Sequence, residues 1–209
     1  MARTPTRSVG RESLSQARHG WVGLVTALVI PTGIALAAPS AMGPAPGHTG
    51  GFGEPTCREC HSDNALNEPS GTLELEGTPA EYTPGQVYRI TVRLRRAGLN
   101  RGGFQLAARF VAGRERGMQA GQLVTTDDGR VAFVRAPERQ LAFAQHTPEG
   151  TFGAQDSELR WSVLWQAPRS GATPVVFHVA ANASNDDDSE LGDFIYTLDR
   201  EVAAAGSDR

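Results

Sequence analysis

Between Thr72 and Val202 apolar and polar residues alternate in short runs, and turns rich in glycine, proline or aspartate separate them. A period of two is the mark of half-buried strands, because successive side chains of a strand point to opposite faces. Thr72-Leu73-Glu74-Leu75-Glu76 is the plainest case. The turn Pro79–Gly85 follows, and Val87–Leu94 alternates again. Further strand signals lie at Gly102–Val111, Gln122–Thr125, Arg130–Val134, Leu141–Ala144, Leu159–Trp165, Pro174–Ala181 and Asp193–Val202. Asp127-Asp128-Gly129, just before Arg130, reads as a hairpin turn. Pro174–Ala181 is apolar except for His178, as a central strand would be. No segment holds a period of 3.6 over a helix length, and the 24 glycines and 13 prolines are too evenly spread for a helical bundle. The expected fold is all-β: an antiparallel β-sandwich with immunoglobulin-like or Greek-key connections, of about eight or nine short strands. A chain of this size can bury a two-sheet core without disulfides.

The front of the chain differs. Arg3, Arg7, Arg11 and Arg18 flank the apolar run Trp21–Ala38, which ends in the small-residue pattern Ala35-Leu36-Ala37. Positive flank, apolar core and small-residue exit describe a secretory signal. About 18 apolar residues would barely span a bilayer core, and Pro31 and Gly33 interrupt them, so an uncleaved anchor is the lesser reading. The body is expected to be exported, to the periplasm or the medium, with no membrane span once the signal is removed. All 20 basic residues are arginines, against 23 acids, which excludes nucleic-acid binding by a basic surface. After the signal, 16 arginines face 22 acids, a net charge of −6 that names no partner.

Only two cysteines occur, and they fall in Cys57-Arg58-Glu59-Cys60-His61. This is the spacing of c-type haem attachment. Two thiols three residues apart can add to the two vinyl groups of one haem, and the next residue then lies beneath the iron. Cys57 and Cys60 are thus expected to hold one covalent haem c, with His61 as proximal ligand. A Cys57–Cys60 disulfide and a zinc site are the competing readings; zinc would need a fourth ligand at an unusual spacing. For the distal ligand, His146 ranks first, because it follows a short strand on a loop, and Met118 is the alternative. His48 sits in a glycine-rich stretch, and His178 reads as a core histidine. The acidic stretch Asn185–Glu190 lacks the spacing of a calcium loop and reads as a solvated turn. The chain is expected to divide into signal (1–38), linker (39–55), haem-attachment segment (56–71), sandwich (72–203) and tail (204–209).

Several segments in order carry a resemblance: Thr49–Glu54 before Thr56–Ser62, Tyr82–Gln86, Gly103–Leu106, Gln119–Gly121, His146-Thr147, Trp161–Trp165 with Ala167-Pro168, and Ala180–Asn185 leading to Gly192–Thr197. Over about residues 49–200 the chain resembles the bacterial exported domain called choice-of-anchor V, a relative of the Reeler domain. The resemblance implies a Reeler-like sandwich with a CxxCH near its start, and its His-Thr element favours His146 as distal ligand. It names no reaction. The function expected from the sequence is therefore an exported monohaem electron carrier serving an unknown redox partner in the cell envelope, with electron transfer more in keeping than enzymatic turnover. The alternative is a non-catalytic envelope adhesion or binding module in which Cys57 and Cys60 form a disulfide. A haem-dependent sensor or small peroxidase with an open iron site is a third reading.

Overall fold

Alternation at the sequence level becomes two packed sheets in the computed structural model, which describes residues 42–169 and 173–205. The expected signal segment lies outside the described residues. Among the described residues ten strands form: β1 (Gly71–Glu76), β2 (Glu81–Tyr82), β3 (Val87–Arg96), β4 (Arg101–Phe110), β5 (Gln122–Thr125), β6 (Val131–Ala136), β7 (Leu141–His146), β8 (Glu158–Gln166), β9 (Val175–Ser184) and β10 (Phe194–Ala204). One sheet has the order β1-β3-β8-β5, the other β2-β10-β9-β4-β7-β6. All pairings are antiparallel except the short β10–β2 contact, which is parallel. The protein is a β-sandwich.

The core is what the inward half of each alternating strand predicts. Ile90, Val92 and Leu94 of β3 and Leu159, Trp161, Val163 and Trp165 of β8 face Phe104 and Leu106 of β4 and Val175, Phe177 and Val179 of β9. Trp161 lies 4.9 Å from Phe104, and Trp165 lies 4.9 Å from Phe177. Each indole also satisfies its N–H, which would otherwise be costly to bury: Trp161 donates to the Gly150 carbonyl at 2.8 Å and Trp165 to the Ala120 carbonyl at 2.9 Å.

Two differences from the sequence pattern matter. Asp127-Asp128-Gly129 makes a turn, but β5 and β6 on either side of it belong to different sheets, so it is a corner between sheets and not a hairpin. His146 is the last residue of β7, not a loop residue, and is 7% exposed. The reading of β9 as central holds, with β10 on one side and β4 on the other.

The outer faces of the two sheets differ. On the four-stranded sheet the buried–exposed alternation of β3 and β8 leaves one side to solvent. On the six-stranded sheet β4 is buried along nearly its whole length. The segment from Met42 to Asn67 accounts for this: it crosses that sheet's outer face and holds two short 3₁₀ turns, Gly51–Gly53 and Cys57–Glu59.

Candidate functional site

The segment is held by side chains that the outer face of the sheet presents at every second position. Gln105 of β4 accepts the Gly47 and His48 N–H groups at 2.9 and 2.7 Å, and donates to the Ala45 carbonyl at 3.1 Å. Gln145 of β7 donates to the Met42 carbonyl at 2.9 Å. Glu54, 4% exposed, pairs with Arg109 of β4 at 2.5 Å and with Arg139 at 3.0 Å. Gly51 lies against the imidazole of His178, where any Cβ would collide with the ring. His178 itself bonds Asp199 at 2.8 Å, so it is a held histidine on the outer face of the sheet.

The CxxCH motif forms the next turn. Thr56 caps it by accepting the Arg58 N–H at 3.1 Å, and the Cys57 carbonyl accepts the N–H groups of Cys60 and His61 at 3.3 and 3.1 Å. His48 bonds Glu59 at 2.6 Å, closing the turn back onto the earlier part of the segment. Both cysteines are free thiols; Cys57 is half-buried and Cys60 exposed. Burial pushes the Cys57 thiol up to about 12. That is the opposite of an activated cysteine.

His61 docks on the sandwich. Its Nδ1 lies 2.7 Å from Asp193, whose side chain is 1% exposed, and the Asn182 amide of β9 donates to the same carboxylate at 2.9 Å. Burial alone would push the Asp193 carboxyl up, but hydrogen bonds from His61, Asn182 and Ser184 and the charge of His61 hold it below the ordinary range. Asn64 and Asn67 continue the docking along β10. Asn64 donates to the Asp193 carbonyl at 2.9 Å, and Asn67 donates its N–H to Ile195 at 2.9 Å and accepts from Thr197 at 2.7 Å. The acidic stretch beyond β9 supplies local turn bonds, such as Asn185 to Asp187 at 3.0 Å.

The ligand set expected from the sequence does not assemble around His61. Met118 bonds the backbone of Phe110 at the far end of β4, while His61 contacts Asn182, whose partner on β4 is Gly103. Seven strand residues separate those points, about 20 Å at the rise of a strand. Met118 is 48% exposed. His146 comes nearer: its ring fills the space beside Gly103. It is committed there, with Nδ1 2.9 Å from the Phe104 N–H, and burial lowers its basicity. Among the described residues no group of three or more His, Cys, Asp and Glu side chains is placed to hold a metal ion. The expectation of a monohaem electron carrier is therefore corrected: no donor set for a metal ion is assembled among the described residues, and the two distal candidates are placed elsewhere, Met118 beside the far end of β4 and His146 in the sheet against the Phe104 backbone.

What sequence reasoning missed is the role of Gln105, Gln145, Glu54 and Arg109. The signal for Gln105, Gln145 and Arg109 was present as polar residues inside apolar strands, which only a covering segment can satisfy. It also missed the open face. Across the four-stranded sheet, one end is a charge ladder in which Arg93 bonds Glu74 and Glu158 at 2.9 Å each and Arg160 bonds Glu76 at 2.7 Å. In the middle, Thr91 and Ser162 share a hydrogen bond of 2.9 Å. At the other end Val124 is exposed opposite Leu164, Arg89 faces Leu164 from β3, and the exposed Val87 lies opposite Gln166, with Gln122 beyond it.

No protein-family model and no curated protein matches the chain. Among solved structures, it is similar to the Reelin-N domain of F-spondin, with 21% identity and a TM-score of 0.46 over 70% of this chain and 96% of that one. It is similar to the human F-spondin reeler domain at 22% identity and a TM-score of 0.46, over 68% of this chain and 94% of that one. A cohesin module from the family 33 glycoside hydrolase of Clostridium perfringens ATCC13124 matches at 13% identity and a TM-score of 0.42, over 65% of this chain and 95% of that one.

Proposed function

We propose that the protein is a non-catalytic binding module of the cell envelope, exported by its leader, in which Cys57 and Cys60 close a local disulfide. The observation that carries this is the outer face of the four-stranded sheet, which stays open to solvent among the described residues. One sheet of the sandwich spends its outer face on residues 42–67, while the other offers a surface with an apolar corner beside Arg89, a Thr91–Ser162 hydroxyl pair and a near-neutral ladder of arginines and glutamates. An apolar patch rimmed by hydrogen-bonding groups is the anatomy of a protein-binding surface. The positively flanked apolar leader supports export. No helix among the described residues is long and apolar enough to cross a membrane. The finer likeness to choice-of-anchor V domains rests on the ordered sequence motifs, and it agrees with an envelope role.

The test is cosedimentation of the purified chain with envelope fractions of the cell that makes it. The wild type is expected to sediment with them, and a Val124→Arg, Leu164→Arg double variant to lose at least about tenfold in retention, the effect of burying unpaired charge at an interface centre. Equal retention of the two proteins would remove the face from the reading.

A further inference from the structure

The two cysteines differ in access but not in alignment. In a 3₁₀ turn side chains at i and i+3 eclipse, and three residues rise about 6 Å, within the Cα separation that a disulfide spans. Cys57 opens the turn and Cys60 is its C-terminal cap, joined by the bond from the Cys60 N–H to the Cys57 carbonyl. The turn cannot drift, because Thr49 pairs with Thr56 before it and His61 docks on Asp193 after it. It packs on β9, with Cys57 half-covered and Cys60 in solvent.

From this we infer that the Cys57–Cys60 turn is a directional thiol–disulfide exchange site for an external disulfide, with Cys60 as the sulfur that meets the substrate and Cys57 as the resolving sulfur. The inference rests on the disulfide of the proposed reading, and concerns how that bond is made. The Cys60 thiolate attacks one sulfur of the external disulfide, whose S–S bond breaks and releases a first thiolate. A mixed disulfide now joins Cys60 to the other half. Cys57 loses its proton to water and attacks the Cys60 sulfur, expelling the second thiolate. Two cysteine thiols are oxidised and one external disulfide is reduced to two thiols, which take up the two protons. Because Cys60 is exposed and Cys57 half-covered, the mixed disulfide forms first at Cys60.

The test treats the full chain, reduced beforehand, with oxidised glutathione and, in a parallel arm, with a disulfide-bonded protein, and follows intact mass. Cys57→Ser is expected to accumulate one adduct, mapped to Cys60. Cys60→Ser is expected to react at least tenfold more slowly, and the wild type to end without adduct and two hydrogens lighter. The arm that reacts names the source of the disulfide. Limited alkylation of the reduced wild type, which needs no substitution, should mark Cys60 before Cys57. Equal rates in the two variants, or a wild type that keeps the adduct, would overturn the assignment. Envelope retention is measured separately, so loss of exchange and loss of binding are told apart.

Discussion

His146 shows how much a single burial decides. Burial drives its imidazole below the ordinary value of 6.5; the hydrogen bond with the Phe104 backbone opposes this, and the charge of Arg101 adds to the fall. The folded chain therefore takes up a proton on His146 only at lower pH than the unfolded chain, whose ordinary value is 6.5. The sign follows: this contribution is complete above the unfolded value and is lost as pH falls below it. Urea unfolding should give a lower midpoint at about pH 5 than at about pH 8, and His146→Gln should flatten the difference. A midpoint difference unchanged in the variant would show that His146 does not carry it. The motif residues were legible as a motif because their spacing is local. Their employment was not, because Asp193 is 132 residues from His61 along the chain and Asn182 is 121.

At the scale of elements, strand positions were readable and strand partners were not. Alternation in β1, β3 and β8 marks which residues face the core, since a half-buried strand has no other way to sort its side chains. The turn at Asp127–Gly129 carries hairpin chemistry, yet its two strands join opposite sheets, because turn residues specify a reversal and not the surface each strand then packs on. The β4–β7 pairing depends on a glycine. Gln105 pairs with Gln145 and Leu106 with Ala144, and beyond them the His146 ring turns into the gap left by Gly103. Gly103→Ala puts a methyl group into that ring and should cost about 1–3 kcal/mol of stability, the usual range for overpacking. Unfolding measurements that find the variant as stable as wild type would mean that the ring has room to move.

For the whole molecule, the segment from Met42 to Asn67 behaves as an eleventh element without being a strand. It meets a row of buried polar groups that a bare sheet would leave unpaired, and Glu54 is its central tie. The Glu54–Arg109 pair is out of solvent on both sides, at 4% and 3% exposure, and reaches Arg139 as well. Removing one charge of such a pair strands the other. Glu54→Gln should therefore destabilise the protein by about 3 kcal/mol in urea unfolding, and loosen the segment enough to speed proteolysis between Met42 and Asn67. A loss under about 0.5 kcal/mol, the size of an exposed pair, would show that the segment docks independently of it. Among the described residues the four-stranded sheet has no such cover, and its charged ladder faces solvent.

The sequence by itself determined an all-β chain, the inward face of nearly every strand, the central place of β9 and a two-cysteine motif ahead of the sandwich. All of these follow from period, composition or spacing within a few residues. The tertiary structure alone decided which strands share a sheet, that His146 ends a strand instead of sitting on a loop, and that His61 closes on Asp193. It also decided which sheet face is covered. Those outcomes depend on contacts between residues tens to more than a hundred positions apart, and a local pattern holds no record of the partner that a buried polar group will find.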